Sequence, residues 1–491
     1  MYDVIIVGAG LGGLSTAAFL SKSGKKVLVL EKMRQIGGYA YSFSRKKSDY
    51  EISLHSIGDL NQQGSLYKIL DEIGLFQKVE FNKHSSNYSV VAKDGEFNAI
   101  KGLKDFVTKM ELLFPESETD IHEIVSLFKK IRKEIDYLNS LPGSPSFIEM
   151  LDTTPIILKY RDASLYSMLS DFTNNQKLIE EFSRYWIYFS LPPKELAGVI
   201  YAYVWTEYIM HGSYYPKGGS KSISEAFKDI ILENGGEIKT NKSVTEIIIV
   251  NNQAIGVDCD GEKYFGENIV SNIPPKTTIE LAKNGKFNNR FIQKVDNITP
   301  SCSSFVTYIT LDKDFYDIYG TLDGGREFLI NNGNTDNFWK NLNSEKITDL
   351  PISLTIYSDS EGKNTIITVC SPSEFSKWDK KDKREYRLQK KHWESELIGK
   401  VDSIFKEFSS HIIEKVSGSP LTNLRFTGNT EGATYGSAQI VSQTLNKRLD
   451  NITPIDSLYL VGGWTKPSSG YSGVIWSGYT VRKKILGKSS R

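Results

Sequence analysis

Cysteine is scarce. Cys259, Cys302 and Cys370 are the three in 491 residues. They are odd in number and far apart, which excludes a disulfide framework and offers no zinc-ligand spacing. The six histidines are scattered too, so no metal site is expected. No uncharged apolar run reaches the length of a membrane span. Met1-Tyr2-Asp3 lacks the basic start of a signal peptide, so the short apolar run behind it is not read as one. These absences point to a reducing cytoplasm, with peripheral contact at a membrane left open. Charge of one sign is missing as well, and a net +1 argues against a dedicated nucleic-acid binder. There is no pattern of a nucleophilic triad.

Aromatic residues are plentiful, at 12% with 26 Tyr and 24 Phe. They either line a pocket for a flat or apolar ligand or fill a large core. The chain is too long for one simple core, and two or three substructures are expected.

The first stretch that carries chemistry is "DVIIVGAGLGGLSTAAFLSKSGKKVLVLEK". Val4 to Val7 are continuously apolar, as a strand buried on both faces requires. Gly8-Ala9-Gly10-Leu11-Gly12-Gly13 follow as G-x-G-x-x-G. Gly8 permits a sharp bend, Gly10 lets backbone approach a pyrophosphate, and Gly13 lets the helix pack closely on the sheet. The helix N-terminus then faces the phosphates. Gly24 ends the helix, Val27 to Leu30 form a second strand, and Glu31 stands at its end with Lys32 behind. A carboxylate there takes ribose hydroxyls, which suits FAD or NAD rather than NADP. No second unit of this kind follows, so no dedicated NAD(P)H domain is expected.

Gly37-Gly38-Tyr39-Ala40 come next. This glycine doublet after the acid resembles the glutathione-reductase-like FAD proteins, in which the segment returns to the pyrophosphate and flavin. Flavin amine oxidases carry an Arg directly after the doublet, where this chain has Tyr39. "YEISLHSIGD", Tyr50 to Asp59, resembles a stretch of carotenoid isomerases and retinol saturases, and that resemblance places His55 near the flavin. A satisfied structural histidine is the other reading of His55.

The C-terminal "LYLVGGWTKPSSGYSGVIWSGYTV" closely resembles the carotenoid desaturase pattern. Leu458 to Val461 read as a buried strand. The resemblance puts Gly462 and Gly463 beside the ribityl chain. It also has Gly470 to Val474, with Ser472 and Gly473 between, present backbone N–H groups to the flavin N1–O2 edge. Such a field stabilises negative charge on a reduced flavin. Amine oxidases have a Glu at the position of Gly463. Ser468-Ser469 and Tyr471 depart from the desaturases. "GSYYPKGGSKSISEAF" to "IVSNIPP" also matches a run of these families, and Val244 corresponds to a residue whose backbone touches the adenine. "EGATYGS", Glu431 to Ser437, resembles a family stretch near the active-site face.

Between these pieces the reading is coarser. Residues 62 to 140 read as helical, with Leu103, Phe106, Met110 and Leu113 at helical spacing and a Ser117…Asp120 capping pattern. "RYWIYFSLPPKELAGVIYAYVWTEYIM" is the most aromatic segment. It lines a tunnel, dips into a membrane interface, or is a buried helix pair broken at Pro192-Pro193. Runs at 304–311, 352–357 and 365–370 read as an antiparallel sheet. "KWDKKDKREYRLQKKHW" reads as a charge-dense helix with a solvated face.

The chain is therefore identified as resembling the carotenoid desaturase, carotenoid isomerase and retinol saturase flavoproteins. The implied fold class is α/β, a glutathione-reductase-like FAD-binding Rossmann domain with a discontinuous mixed α+β substrate domain. The FAD-binding domain is expected over 1–75, 212–275 and 421–491, and the substrate domain over 76–211 and 276–420. The implied activity is FAD-dependent redox chemistry on carbon–carbon bonds of a lipophilic conjugated polyene, as desaturase, saturase or isomerase. Electron partners implied are NAD(P)H, a quinone or oxygen. His55 and Tyr471 are the catalytic candidates. A flavin amine oxidase and a non-catalytic prenyl carrier of the Rab-escort type are the rival readings.

Overall fold

Val4, Ile5 and Ile6 have no solvent exposure at all. A strand buried on both faces must have neighbours on both edges and layers above and below, and this sets the centre of the molecule. The structure is a computed structural model. It describes residues 1–489 except 47, 92–96, 142–146, 323–324, 331–334, 345–346, 359–364 and 380–381.

Tyr2–Val7 pairs in parallel with Val27–Leu30 on one side and Glu262–Ser271 on the other. Glu237–Lys239 extends the sheet beyond Val27–Leu30, and Leu458–Leu460 pairs with the end of Glu262–Ser271, both in parallel. The antiparallel ribbon Glu246–Val250 and Gln253–Cys259 completes a seven-stranded sheet. Positive φ at Asn251 and Asn252, and at Asp260 and Gly261, makes the two tight turns of that ribbon.

The helix Leu11–Lys22 starts at the glycine turn and lies on this sheet. It packs so closely that a Cβ on Gly13 would sit 2.2 Å from the Gly8 carbonyl oxygen. The C-terminal helix Gly470–Ser489 crosses it at Gly478, whose added Cβ would be 2.5 Å from Ser15 Oγ. Ser220–Glu233 lies on the same sheet face, burying Ile223, Phe227, Ile230 and Ile231 with Phe19.

A second seven-stranded sheet runs in the order Ile412–Gly418, Ser303–Leu311, Thr365–Ser373, Ile352–Ser358, Glu327–Ile330, Tyr88–Val91, Phe97–Ile100. The expected antiparallel runs are present in it. One pairing is parallel, Glu327–Ile330 with Tyr88–Val91. Helices Leu103–Leu113, Glu118–Ser140 and Gly198–Ile209 and the buried part of Lys383–Asp402 share its core.

Two expectations need correction. Residues 62 to 140 are not wholly helical, because Phe81–Lys83, Tyr88–Val91 and Phe97–Ile100 are strands. Tyr88 and Val90 alternate with Ser89 in a run too short to override the helical periodicity on either side. The Asp94-Gly95 pair between the last two strands falls outside the described residues. The helix after Ser117 does begin at Glu118, but the Ser117 side chain makes no capping bond. The Lys383–Asp402 helix is charged outside, yet it buries Trp393, Leu397 and Val401 inward. Among the described residues no helix is long and apolar enough to cross a membrane.

Candidate active site

One cavity of about 760 Å³ opens along the C-terminal ends of the parallel strands and continues to the second sheet. At one end stands the glycine turn. Gly8, Gly10, Leu11 and Gly12 line it. The N–H groups of the first helical turn have no helical acceptors by geometry, and Gly10 caps the helix without a side chain. Asn272, in "IVSNIPP", is the keystone of this turn. Its amide donates to the Gly8 carbonyl at 3.3 Å. A Cβ on Gly10, Gly12 or Gly462 would fall within 2.8 Å of that same amide. Gly12 and Gly462 also face each other, since a Cβ on Gly12 would be 3.0 Å from Gly462 Cα.

Glu31 follows the second strand and is 9% exposed. Its two oxygens accept the N–H groups of Ala9, at 2.7 Å, and Met33, at 2.8 Å. A carboxylate has about four lone-pair sites, so two remain for a ligand hydroxyl. Lys32 and Val244 line the cavity beside it. Ala9 serves here through its N–H to Glu31. Gly13 and Gly473 stand behind the wall as packing positions, and a Cβ on Gly473 would be 2.8 Å from the Ser468 carbonyl carbon.

The glycine doublet closes on the turn. The Gly37 N–H donates to the Ala9 carbonyl at 2.8 Å, and Gly37 bridges Gly10 as a parallel partner. A Cβ on Gly38 would be 3.3 Å from Gly10 Cα. Tyr39 and Ala40 continue the wall. Tyr471 donates to the Tyr39 carbonyl at 3.2 Å, and Ser53 links the two, so the C-terminal helix is tied to the segment after the doublet. Burial pushes both phenols, Tyr39 and Tyr471, above their ordinary range. Gly462, Gly463, Gly470, Ser472 and Val474 face the cavity from the C-terminal motif. Arg448, 1% exposed, holds that motif by donating to the Thr465 and Gly463 carbonyls.

At the other end the walls are aromatic. Tyr185, Tyr188, Phe189, Tyr208, Tyr308 and Tyr435 line it. The aromatic segment thus divides: these residues of 185–208 face the cavity, while Trp186, Tyr201 and Trp205 are core. His55 lies in this chamber with its ring 5.9 Å from that of Tyr188. Its Nδ1 shares a hydrogen with Thr355 Oγ1 at 2.5 Å and stands 3.6 Å from Glu327 Oε1. Burial, with Arg326 nearby, pulls the His55 pKa down to about 4. Burial pushes the Glu327 carboxyl up to about 7. Glu207, 1% exposed, accepts from Ser472 Oγ at 3.0 Å. Burial and the nearby Asp59 charge raise it well above the carboxylate range.

Glu327, Glu207 and Asn272 escaped the sequence reading as site residues. Glu207 had a signal, a lone carboxylate inside the apolar run "YVWTEYIM", since buried Glu residues need a reason. Glu327 opens the apolar strand "EFLI" and carried the same weaker sign.

The cavity fits FAD by its donor set. It offers an open helix N-terminus over a side-chain-free turn, an oriented carboxylate one strand away, and a second helix N-terminus at Gly470. The curated relatives include all-trans-retinol 13,14-reductase of Danio rerio, 24% identical over 99% of this chain and 86% of that protein. Prolycopene isomerase of Daucus carota is 24% identical over 99% and 80%. A 4,4'-diapophytoene desaturase of a Methylomonas species is 24% identical over 99% and 96%. Among solved structures, an oxidoreductase from Methanosarcina mazei superposes with TM-score 0.64 at 20% identity over 97% of this chain and 99% of that one. Putrescine oxidase bound to putrescine gives 0.65 at 13% over 100% and 99%. The flavin-containing amine oxidoreductase model matches residues 11–481. A match over that length, on a cavity with this donor set, makes the chain a member of the flavin-containing amine oxidoreductase family and an FAD-dependent oxidoreductase.

Proposed function

We propose that this protein catalyses FAD-dependent oxidation, reduction or isomerisation at carbon–carbon bonds of a lipophilic conjugated polyene. The observation that carries the reading is the aromatic chamber continuous with the cofactor cradle. Flat, apolar walls of this kind suit an extended conjugated chain. Relatives named for retinol, prolycopene and diapophytoene support it.

FAD, when bound, supplies two-electron hydride exchange. The chain's residues do the rest. The glycine turn, Glu31 and the doublet would hold the cofactor, the N-terminus of the helix Gly470–Ser489 would favour negative charge on its reduced form, and the tyrosine walls exclude water and orient the substrate. His55 and Tyr471, both on the cavity wall, are the candidate catalytic groups. We further propose that the cofactor domain comprises 1–75, 212–275 and 421–491, and the substrate domain 76–211 and 276–420. Membership of the two large sheets supports this division. Amine oxidation is the weaker reading. Tyr39 and Gly463 stand where amine oxidases carry Arg and Glu, and burial disfavours the anionic carboxyl that an ammonium would need at Glu327.

The test is anaerobic mixing of FAD-loaded protein with NADH, NADPH, amines and polyenes. A polyene, or a reductant whose electrons then pass to a polyene, should bleach or restore the flavin visible band. Bleaching by amines alone would overturn the reading.

A further inference from the structure

Most of the chamber wall is apolar, but three unmet polar atoms are gathered at one place. Glu327 and Tyr185 are 6% and 3% exposed. Tyr188 stands with its ring 5.5 Å from that of Tyr185. All three line the cavity. The Tyr185 hydroxyl, the Tyr188 hydroxyl and Glu327 Oε1 are sealed from solvent, and none meets a partner at full hydrogen-bond geometry. Tyr188 and Glu327 approach each other as a hydrogen-bonding pair and act on each other's titration, so a ligand hydroxyl would enter between them, while the Tyr185 hydroxyl has no partner. The nearest cation-forming group, His55 Nδ1, is 3.6 Å from Glu327 Oε1 and is already engaged by Thr355. Tyr208 and Tyr308, two further phenols of the chamber, are spent on the Ser56 and Ile52 carbonyls.

Buried polar groups are almost always satisfied, so a cluster of three unmet ones calls for a partner. The chemistry of that partner follows from the set. A hydrocarbon polyene leaves all three unmet. A carboxylate would face the Glu327 carboxyl. A hydroxyl group both donates and accepts: its hydrogen suits the carboxyl oxygen, and its lone pairs suit the two phenol O–H groups. We propose that Tyr185, Tyr188 and Glu327 form an end-group site for a polyene alcohol, so that the substrate is amphipathic rather than a pure hydrocarbon. This rests on the polyene reading above and narrows it. Sites built to bond a ligand hydroxyl discriminate strongly against analogues that lack it, because their own groups are then left unpaired.

The test is binding to FAD-loaded protein, followed by quenching of protein fluorescence. The probes are all-trans-retinol, its O-methyl ether and the hydrocarbon β-carotene. The alcohol should bind roughly tenfold to a hundredfold tighter than its methyl ether, which keeps the chain and loses the donor. In Glu327→Leu the gap should close while the ether binds as before, because only the alcohol donates to the carboxyl. In Tyr185→Phe/Tyr188→Phe alcohol and ether should both weaken, since the oxygen of each accepts from the phenols, and retained flavin absorbance reports folding in each variant. Equal affinity for alcohol and ether in the unaltered protein, a gap that survives Glu327→Leu, or affinities unmoved by loss of the two phenols overturns the end-group site and leaves the polyene reading standing. Tight binding of β-carotene alone has the same meaning. Failure of all three probes to bind overturns the polyene reading and this one with it.

Discussion

Ser472 Oγ donates to Glu207 Oε2 at 3.0 Å, joining the first turn of the C-terminal helix to a buried carboxyl on the helix Gly198–Ile209. The other oxygen of Glu207 has no partner. Ser472→Ala would leave both oxygens unmet in a dry site. We expect a loss of about 1–3 kcal/mol in urea unfolding. Adding Glu207→Leu should recover part of it, since removing both partners is milder than removing one. A double variant less stable than Ser472→Ala would refute this account of the pair.

His55 and Glu327 should pull the pH dependence of stability in opposite directions. His55 titrates near 4 when folded, against an ordinary 6.5. Between those values the unfolded chain holds a proton that the folded chain lacks, so stability rises with pH. Glu327 titrates near 7 when folded, against 4.5. There the folded chain holds the extra proton, and stability falls as pH rises through that window. Glu327→Gln removes the falling contribution alone. Its stability should therefore climb more steeply than the parent's between pH 4.5 and 7, by up to about 1.4 kcal/mol per pH unit. Urea midpoints across that range would show it, and parallel curves would refute it. His55→Ala should lower turnover while the protein stays yellow.

Arg132 Nη2 lies 2.8 Å from both Asp59 oxygens, and the two side chains are essentially solvent-free. Asp59 also accepts from the Leu66 N–H and the Ser65 hydroxyl, while Arg132 lies over the Tyr203 ring at 4.8 Å. The pair clips the helix Glu118–Ser140 to the segment that follows His55. Arg132→Met leaves Asp59 as an uncompensated buried charge beside Glu207, and should cost about 3–5 kcal/mol. Adding Asp59→Asn removes that charge, so the double variant should fall well short of the sum of the singles. Additive losses in denaturant unfolding would contradict the coupling.

The cofactor half of this molecule was legible because its reasons are local. Within the first forty residues, Gly8, Gly10, Gly13, Glu31 and the doublet each have a backbone reason, and strand, turn and helix lie in one continuous run. The Val27–Leu30 strand has the expected bounds, and Gly24 with φ +81° follows the helix end. The chamber is different. Glu327 meets His55, and Glu207 meets Ser472, across hundreds of residues, and nothing in "GREFLI" or "WTEYI" names its partner. Those contacts are set by how the second sheet lies over the first. The hairpin at Tyr88–Val91 and Phe97–Ile100 was missed for a related cause: its register depends on Glu327–Ile330 beside it, not on its own short pattern.

The glycine doublet gives the sharpest test of the cradle when set against a glycine elsewhere. Gly37 has φ +111°, and a Cβ there would lie 2.3 Å from the Ala40 carbonyl oxygen and 2.8 Å from Ser224 Oγ. Gly24 has φ +81° and open space around it, with nothing within 4 Å of an added Cβ. Alanine at either position strains the backbone by about 1–2 kcal/mol. Only at Gly37 must the loop also move, and that loop holds the Ala9 carbonyl and lies against Gly10. Gly24→Ala should therefore lower stability modestly and keep its flavin. Gly37→Ala should weaken FAD binding at least tenfold, a further loss of about 1.4 kcal/mol or more in cofactor affinity. Flavin absorbance after gel filtration and FAD titration of the stripped protein measure the difference. If Gly37→Ala holds FAD as firmly as Gly24→Ala does, the doublet is a turn and not part of the cofactor site.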